Sequence, residues 1–454
     1  MSRAEGSDLS VLWRLLREAR AVCAGACLLA AAGCVTNPIT GQQQFSIVGQ
    51  PQLLALAKQA APSQFASDYG VVSDAQVNAY VAKVGRKLVG TLTAADVVYP
   101  NMPFNFQVVN AVYINAYAFP DGTIAVTRGM LAELEDEAQL AAVLGHEIAH
   151  VNCGHTASAM SKSTVLDALV SGTSGYLSSS GSQWADVVGT AGQLGSAVVL
   201  ASYSREQERQ ADQGGMLYMV RAGYDPQGMV GLMNLLVRIS GSNPSALEQM
   251  FSTHPMSAER LQAAQARASG EYAGRNAGAD GRAAFLAATA EIRKSKPAIK
   301  QFAASEAQLA QKQYAAAKAS AEQGLRLLPN DVVGLMLVAQ ASQKGGNLAG
   351  AQQAASLAAR LHPGSARAQS VLAQCALERK EYASALAHLS AFERQVPGEA
   401  RTSFYKGLAY EGQGQKQLAV QSYQRYVSRS GGRSAEGRYA QQRLQQLAPA
   451  PATR

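Results

Sequence analysis

"LGHEIAHVNCGH", Leu144 to His155, gathers three of the chain's six histidines within ten positions. Leu140, Val143, Leu144, Ile148 and Val151 recur as one apolar face, which predicts a helix from about Glu135 to Cys153. Side chains four apart project from the same side of a helix, so His146 and His150 can reach one metal ion. Glu147 projects beside them, close enough to reach a water at that ion without ligating it. The plainer alternative is a histidine-bearing helix that holds no metal.

A hydrolytic zinc needs a third protein ligand and an open fourth position. "SREQERQADQGG" (204 to 215) offers the ligand. Glu208 and Asp212 are also four apart on a helix, so one can ligate while the other hydrogen-bonds a ligating histidine from behind. Spacing alone does not separate Glu206 from Glu208, and an exposed charged helix face fits the same pattern.

Around these helices the pattern is α+β and mostly helical. Residues 51 to 92 read as helical, with Val77, Val81, Val84 and Leu88 in register behind Ser73 as an N-cap. Strands are expected at 104 to 110, 112 to 119 and 123 to 127, with Pro120-Asp121-Gly122 turning between the last two. Residues 171 to 183 are a Ser/Gly-rich loop, either a lid or a tolerated surface loop. Helical pattern resumes from Trp184 and stops at Gly223. Four glycines between 266 and 282 suggest a linker.

Beyond 300 the chain repeats. Pro329, Pro363 and Pro397 are 34 apart; so are Ala317, Ala351, Ala385 and Ala419, and also Ser305, Ala339, Ala373 and Gly407. Small residues at fixed places in paired helices, with a proline closing each unit, predict about four tetratricopeptide (TPR) repeats in an all-α solenoid. Such a stack binds protein partners on its concave face. His362 and His388 read as ordinary solvent-facing residues within it.

At the other end, basic residues as far as Arg20 precede a 13-residue apolar stretch, Ala21 to Gly33. That is short for a membrane span and suits an export signal. Ala31, Ala32 and Gly33 before Cys34 resemble a bacterial lipobox, which implies a lipidated Cys34 as the mature N-terminus; plain secretion is the alternative. Only Cys34, Cys153 and Cys375 then remain, so no disulfide framework is expected. With 47% apolar and 16% charged residues the chain is a folded protein, and its formal charge of +8 is scattered, which argues against nucleic-acid binding.

HEIAH, Glu208-x-x-Ala-Asp212, "NAYAFPDGTIAVTRGML" upstream and "STHPMSAER" downstream, in that order, resemble the M48 peptidases over residues 35 to 265. The resemblance implies a gluzincin-type metallopeptidase domain with a small β-sheet and one Zn2+ per chain. His146, His150 and Glu208 are then the zinc ligands, Glu147 the general base and Asp212 the residue behind a ligand. By sequence alone His254 reads as a structural residue at a helix N-terminus before Pro255; the resemblance implies that it either donates to the oxyanion or fills the fourth zinc position as a plug. Arg260 holds substrate or oxyanion, and Asn115, Ala116, Tyr117 and Ala118 form an edge strand for an extended substrate, unless Tyr117 belongs to the core. His155 fits a common extension of the motif and reads as packing. The expected organisation is a signal peptide (1–33), the peptidase domain (35–265), a linker (266–299), repeats (300–432) and a helical or disordered tail (433–454). A soluble M48 domain with repeats implies a periplasmic endopeptidase acting on misfolded or stalled outer-membrane proteins, held to the outer membrane by a lipid anchor. The competing reading is a chaperone or scaffold whose repeats grip clients.

Overall fold

The computed structural model describes residues 33–170, 202–242, 247–275, 281–430, 432 and 434–447. The expected signal peptide, the Ser/Gly loop and the helical pattern from Trp184 to residue 201 lie outside these residues. Among the described residues, no helix is long and apolar enough to cross a membrane.

The chain opens with a hairpin of β1 (Cys34–Thr36) and β2 (Gln43–Phe45). Two helices follow, α1 (Gln50–Ser67) and α2 (Ala75–Val89), where the sequence suggested one helical stretch. Tyr69 and Gly70 take left-handed backbone (φ 61° and 83°), which ends α1. The cap of α2 is Asp74, not Ser73, because its carboxylate accepts from the Gln76 and Val77 N–H groups.

Three strands then form one sheet: β3 (Asn105–Val109), β4 (Ala116–Ala118) and β5 (Thr123–Thr127), in the order β3-β5-β4. β3 runs parallel to β5, and β4 antiparallel, so β4 is an edge. The strand expected from 112 to 119 shrinks to three residues. Ala111 gives its carbonyl to the Gly129 N–H, and the carbonyls of Val112 and Tyr113 press against Gly129, so the chain joins the ladder only after Asn115.

Helix α3 (Arg128–Glu133) leads to α4 (Glu137–Asn152), capped by Asp136, which accepts from the Gln139 N–H. α4 is buried from Ala138 to Asn152, so it is the central rod of the domain. After α5 (His155–Val170) comes α6 (Arg205–Arg221), which opens on a capping box between Ser204 and Gln207 and stops at left-handed Gly223. α4 and α6 cross almost backbone to backbone. A Cβ on Gly145 would stand 2.9 Å from the Gly215 carbonyl oxygen, and one on Gly215 would stand 2.8 Å from the His146 nitrogen. Helices α7 (Gln227–Ser242), α8 (Glu248–Thr253) and α9 (Ala258–Ser269) complete the wall around this crossing.

The described residues of the expected linker, 266–275 and 281–299, are mostly helical. α9 runs through Ser269, and α10 (Arg282–Ala288) and α11 (Ala290–Lys294) follow, burying Phe285 and Ile292 in the same core as α4. Glycine composition suggested a linker, but Tyr272 among the glycines and Phe285 and Ile292 after them are buried in the core. α12 (Lys296–Ala310) continues this core with Phe302, and from there the TPR pairs follow: α13 (Tyr314–Leu327), α14 (Val332–Lys344), α15 (Leu348–Leu361), α16 (Ala366–Glu378), α17 (Tyr382–Gln395), α18 (Ala400–Gly412) and α19 (Lys416–Ser430). Ala317, Ala351, Ala385 and Ala419 are fully buried, as are Ser305, Ala339 and Ala373. Each closing proline lies two residues past the second helix of its pair. α20 (Ala435–Leu447) covers the last pair, where Ala440 joins Phe404 and Tyr423. Cys153 and Cys375 are both buried, as small apolar residues are.

The α4–α6 crossing has no room for a methyl group against backbone. Gly215→Ala is expected to lower stability by about 1–3 kcal/mol, measured by urea denaturation of the full chain; a neutral substitution would show that the helices separate freely.

Candidate metal centre and active site

His146 and His150 lie on α4, one turn apart, and the short crossing brings α6 close enough for Glu208 to face them. His254, at the end of α8, closes the group. All four are buried, and each offers a ligand atom within 4.8 Å of the others. His150 Nε2 is 3.0 Å from His146 Nε2 and 3.3 Å from Glu208 Oε1. His146 Nε2 is 3.5 Å from Glu208 Oε2 and 3.4 Å from His254 Nδ1. His254 Nδ1 is 3.0 Å from Glu208 Oε1. A tetrahedral zinc with ligands at about 2.0–2.1 Å requires donor atoms roughly 3.3–3.4 Å apart. The observed spacings bracket that value.

Three imidazoles and a carboxylate are a donor set suited to zinc. Beside them, Glu147 Oε1 lies 3.7 Å from His254 Nε2, while Glu147 Oε2 is buried and accepts no hydrogen bond, which leaves an acceptor next to the cluster without a protein partner. The residues present therefore fit the ion that the motif implies.

His146 and His150 both turn Nε2 toward the cluster and use Nδ1 behind. His146 Nδ1 is 3.0 Å from Asp212 Oδ1. His150 Nδ1 is 2.8 Å from His155 Nδ1, and its ring stacks on Tyr203 at 3.9 Å between centroids. Burial holds His150 well below the usual histidine range and therefore neutral. Arg260 is fully engaged with acids: its Nε and Nη2 donate to Asp212, both at 2.7 Å, while Nη1 lies 2.6 Å from Glu208 Oε2 and donates to the Pro255 carbonyl. Burial works to raise the Asp212 carboxyl, and the Arg260 guanidinium outweighs it and holds that carboxyl below its ordinary value. Glu147 goes the other way: burial pushes its carboxyl up, only partly offset by His254 and His146.

The edge strand meets this centre directly. Odd-numbered residues of β4 turn their backbone to β5, so Ala116 and Ala118 turn theirs outward. Ala116 N–H donates to the Asn115 side chain, and Ala118 N–H donates to Glu147. Asn115 is 1% exposed and its Nδ2 has no partner. Tyr117 is a core residue: its hydroxyl donates to Asp68 behind the sheet. A small pocket opens between Asn115, His146 and Glu147 on one side and Met130, Met229 and Met233 on the other.

The structure thus gathers His146, Glu147, His150, Glu208, Asp212, His254, Arg260, Asn115 and Ala116 around one point. Cys34 stands apart in β1, exposed. Glu206, which spacing could not separate from Glu208, faces outward to Arg209. Tyr203 and Gln210 carried no signal in the sequence. His155 carried one, its place in the extended motif, and it does more than pack.

The model of peptidase family M48 matches residues 75–268. The beta-barrel assembly-enhancing protease of Yersinia pestis is 31% identical over 201 residues, 44% of this chain and 40% of that protein. Metalloprotease YcaL of Escherichia coli is 32% identical over 191 residues, 41% of this chain and 71% of that protein. Among solved structures, the TPR protein YrrB covers 45% of this chain and 97% of its own at 16% identity, with a TM-score of 0.30. The aligned part thus spans less than half of the assembly-enhancing protease but most of YcaL, and the family match over residues 75–268 contains every ligand-type residue of the cluster; the chain belongs to peptidase family M48.

Proposed function

We propose that the protein is a zinc-dependent endopeptidase of the bacterial cell envelope that cleaves misfolded or stalled outer-membrane proteins, with its repeats recruiting clients or assembly machinery. The observation that carries the enzymatic part is the buried set of four donor-bearing side chains, with ligand atoms within 4.8 Å of one another, beside an unpartnered Glu147 oxygen. An intact donor set of this kind supports an enzyme over a scaffold built on a decayed metal domain. The envelope part leans on the relatives' names and on the exposed position of Cys34 at the head of β1, which suits a lipid anchor there.

His146, His150 and Glu208 would hold the zinc. When bound, it would polarise a substrate carbonyl and lower the pKa of a water towards about 7. Glu147 is the proton carrier. Its raised carboxyl pKa suits a group that takes a proton from water at Oε2 and returns it to the leaving nitrogen. The Ala118 N–H donates to the same carboxylate, so the strand that would line the substrate also positions the base. The bare Asn115 amide is placed to hold a substrate carbonyl, and the methionine-lined pocket suits a flexible apolar side chain next to the scissile bond.

Two roles follow from where donors are spent. Arg260 has its guanidinium committed to Asp212, Glu208 and the Pro255 carbonyl, so we assign it to holding acids in place, not to touching substrate as the motif implied. His254 Nδ1 stands at the fourth corner of the cluster, so of its two candidate roles we assign the plug. A hydrolytic site keeps that corner open, and His254 must leave it before a substrate can be turned over.

Glu147→Gln is expected to retain one zinc per chain and to lose at least a hundredfold of cleavage rate on an unfolded polypeptide; metal analysis alongside a gel-based assay reads both, and full activity would end the assignment. His254→Ala is expected to raise basal cleavage of a short unstructured peptide severalfold. A fall in kcat with KM unchanged would instead give His254 the oxyanion role.

A further inference from the structure

His155 returns to the ligand helix through a single left-handed residue. Gly154 has φ 63°, a conformation that costs glycine little, and it turns the chain so that α5 starts beside the end of α4. The fully buried His155 ring then meets His150, Nδ1 to Nδ1 at 2.8 Å, while its Nε2 lies 3.0 Å from Gln210 Oε1. Of two imidazole nitrogens at that distance, one donates and the other accepts.

Which one donates is decided outside the pair. Asn37, in the hairpin turn between β1 and β2, accepts from the Ile39 and Thr40 N–H groups at Oδ1, at 2.9 and 3.1 Å. Backbone N–H groups can only donate, so the Asn37 Nδ2 faces the other way and donates to Gln210 Oε1 at 2.8 Å. Gln210 Nε2 in turn donates to the Glu206 carboxylate at 3.1 Å. Gln210 therefore presents its oxygen to His155, whose Nε2 must carry a proton. The His155 nitrogens meet an imidazole and an amide oxygen, neither of them a counter-charge, so the buried ring is neutral and its Nδ1 is bare. His150 must then donate from Nδ1, which leaves its Nε2 free of a proton and facing the cluster.

We propose that His155, oriented by Gln210 and Asn37, is a positioning residue that locks His150 in the Nδ1–H tautomer and so prepares its Nε2 to bind metal. His146 obtains the same service from a carboxylate, Asp212; His150 obtains it from a chain of neutral groups that ends in the N-terminal hairpin. This rests on the metal-centre reading, but the tautomer is measurable without metal.

The test uses the full chain with 15N-labelled histidine, first metal-free and then in zinc competition against a chelating dye. In the wild type, His150 is expected to carry its proton on Nδ1 without metal. His155→Leu is expected to release His150 into the Nε2–H tautomer and to weaken zinc binding 10- to 100-fold. His155→Asn places an amide oxygen where Nδ1 stood, and is expected to keep the Nδ1–H tautomer and nearly wild-type zinc affinity. Unchanged tautomer and affinity in His155→Leu would overturn the proposal, as would a His155→Asn protein as impaired as His155→Leu, since both would mean that the ring only fills space. If the wild type binds no zinc, the metal reading fails, while the nitrogen shifts of the metal-free protein still decide whether His155 sets the tautomer.

Discussion

The site depends on how closely two helices approach. α4 supplies the imidazoles and α6 the carboxylate, and neither carries enough donors to hold an ion alone. Gly145 lies against Gly215 with no space for a side chain at either, and Gly214 lies against Ala149, where a methyl group would be a tight fit. That contact sets the reach of Glu208 towards His146 and His150. Arg260 then fastens Glu208 and Asp212 together from α9, so one cation offsets two buried acids that would otherwise repel each other.

Burial makes the arrangement demanding. A carboxylate and several imidazoles out of contact with water must each find a partner for every polar atom. The chain meets this by layering: donor atoms face inward, and each ligand's outer atom is claimed by a residue from another element. Asp212 stands behind His146, His155 behind His150, and Arg260 behind Glu208. Glu147 Oε2 and Asn115 Nδ2 are among the buried atoms left without a hydrogen-bond partner, and both belong to residues that line the pocket beside the cluster.

Much of this was legible in the sequence because it is local. His146, Glu147 and His150 share one helical turn, Glu208 and Asp212 share another, and the small residues of the repeats keep one period. What was not legible comes from long-range meeting. Asn37 reaches Gln210 across 173 positions, and no pattern in either segment announces it. Glu206 and Glu208 could not be told apart by spacing, because only the α4–α6 crossing decides which one faces the imidazoles. The linker was misjudged because glycine content was weighed above Phe285 and Ile292, which pack into the core. Strand β4 came out shorter than its alternation suggested because the backbone before it is tied to Gly129.

The joining of repeats to peptidase follows from the same continuity. A single apolar core runs from α2 through α4 and α12 to Cys375. Its rim is pinned by polar contacts: Arg128, directly after β5, pairs with Asp331 at 2.5 Å, and both side chains are nearly fully buried. On the other face of the sheet, Tyr117 of the edge strand donates to Asp68, while the neighbouring Tyr69 donates to Glu306 on α12 and carries the Arg367 guanidinium over its ring at 4.1 Å. The strand that faces the metal centre is therefore braced from behind by residues in contact with the first and third helix pairs of the solenoid. A separable solenoid would need few contacts across its boundary; here, removing either member of a buried pair such as Arg128–Asp331 leaves an uncompensated charge at a cost of about 3–5 kcal/mol. Repeats fixed in this way hold whatever they grip at a set distance and angle from Glu147. In the function proposed above, recruitment and cutting would share one frame, and the geometry between them is a property of the fold.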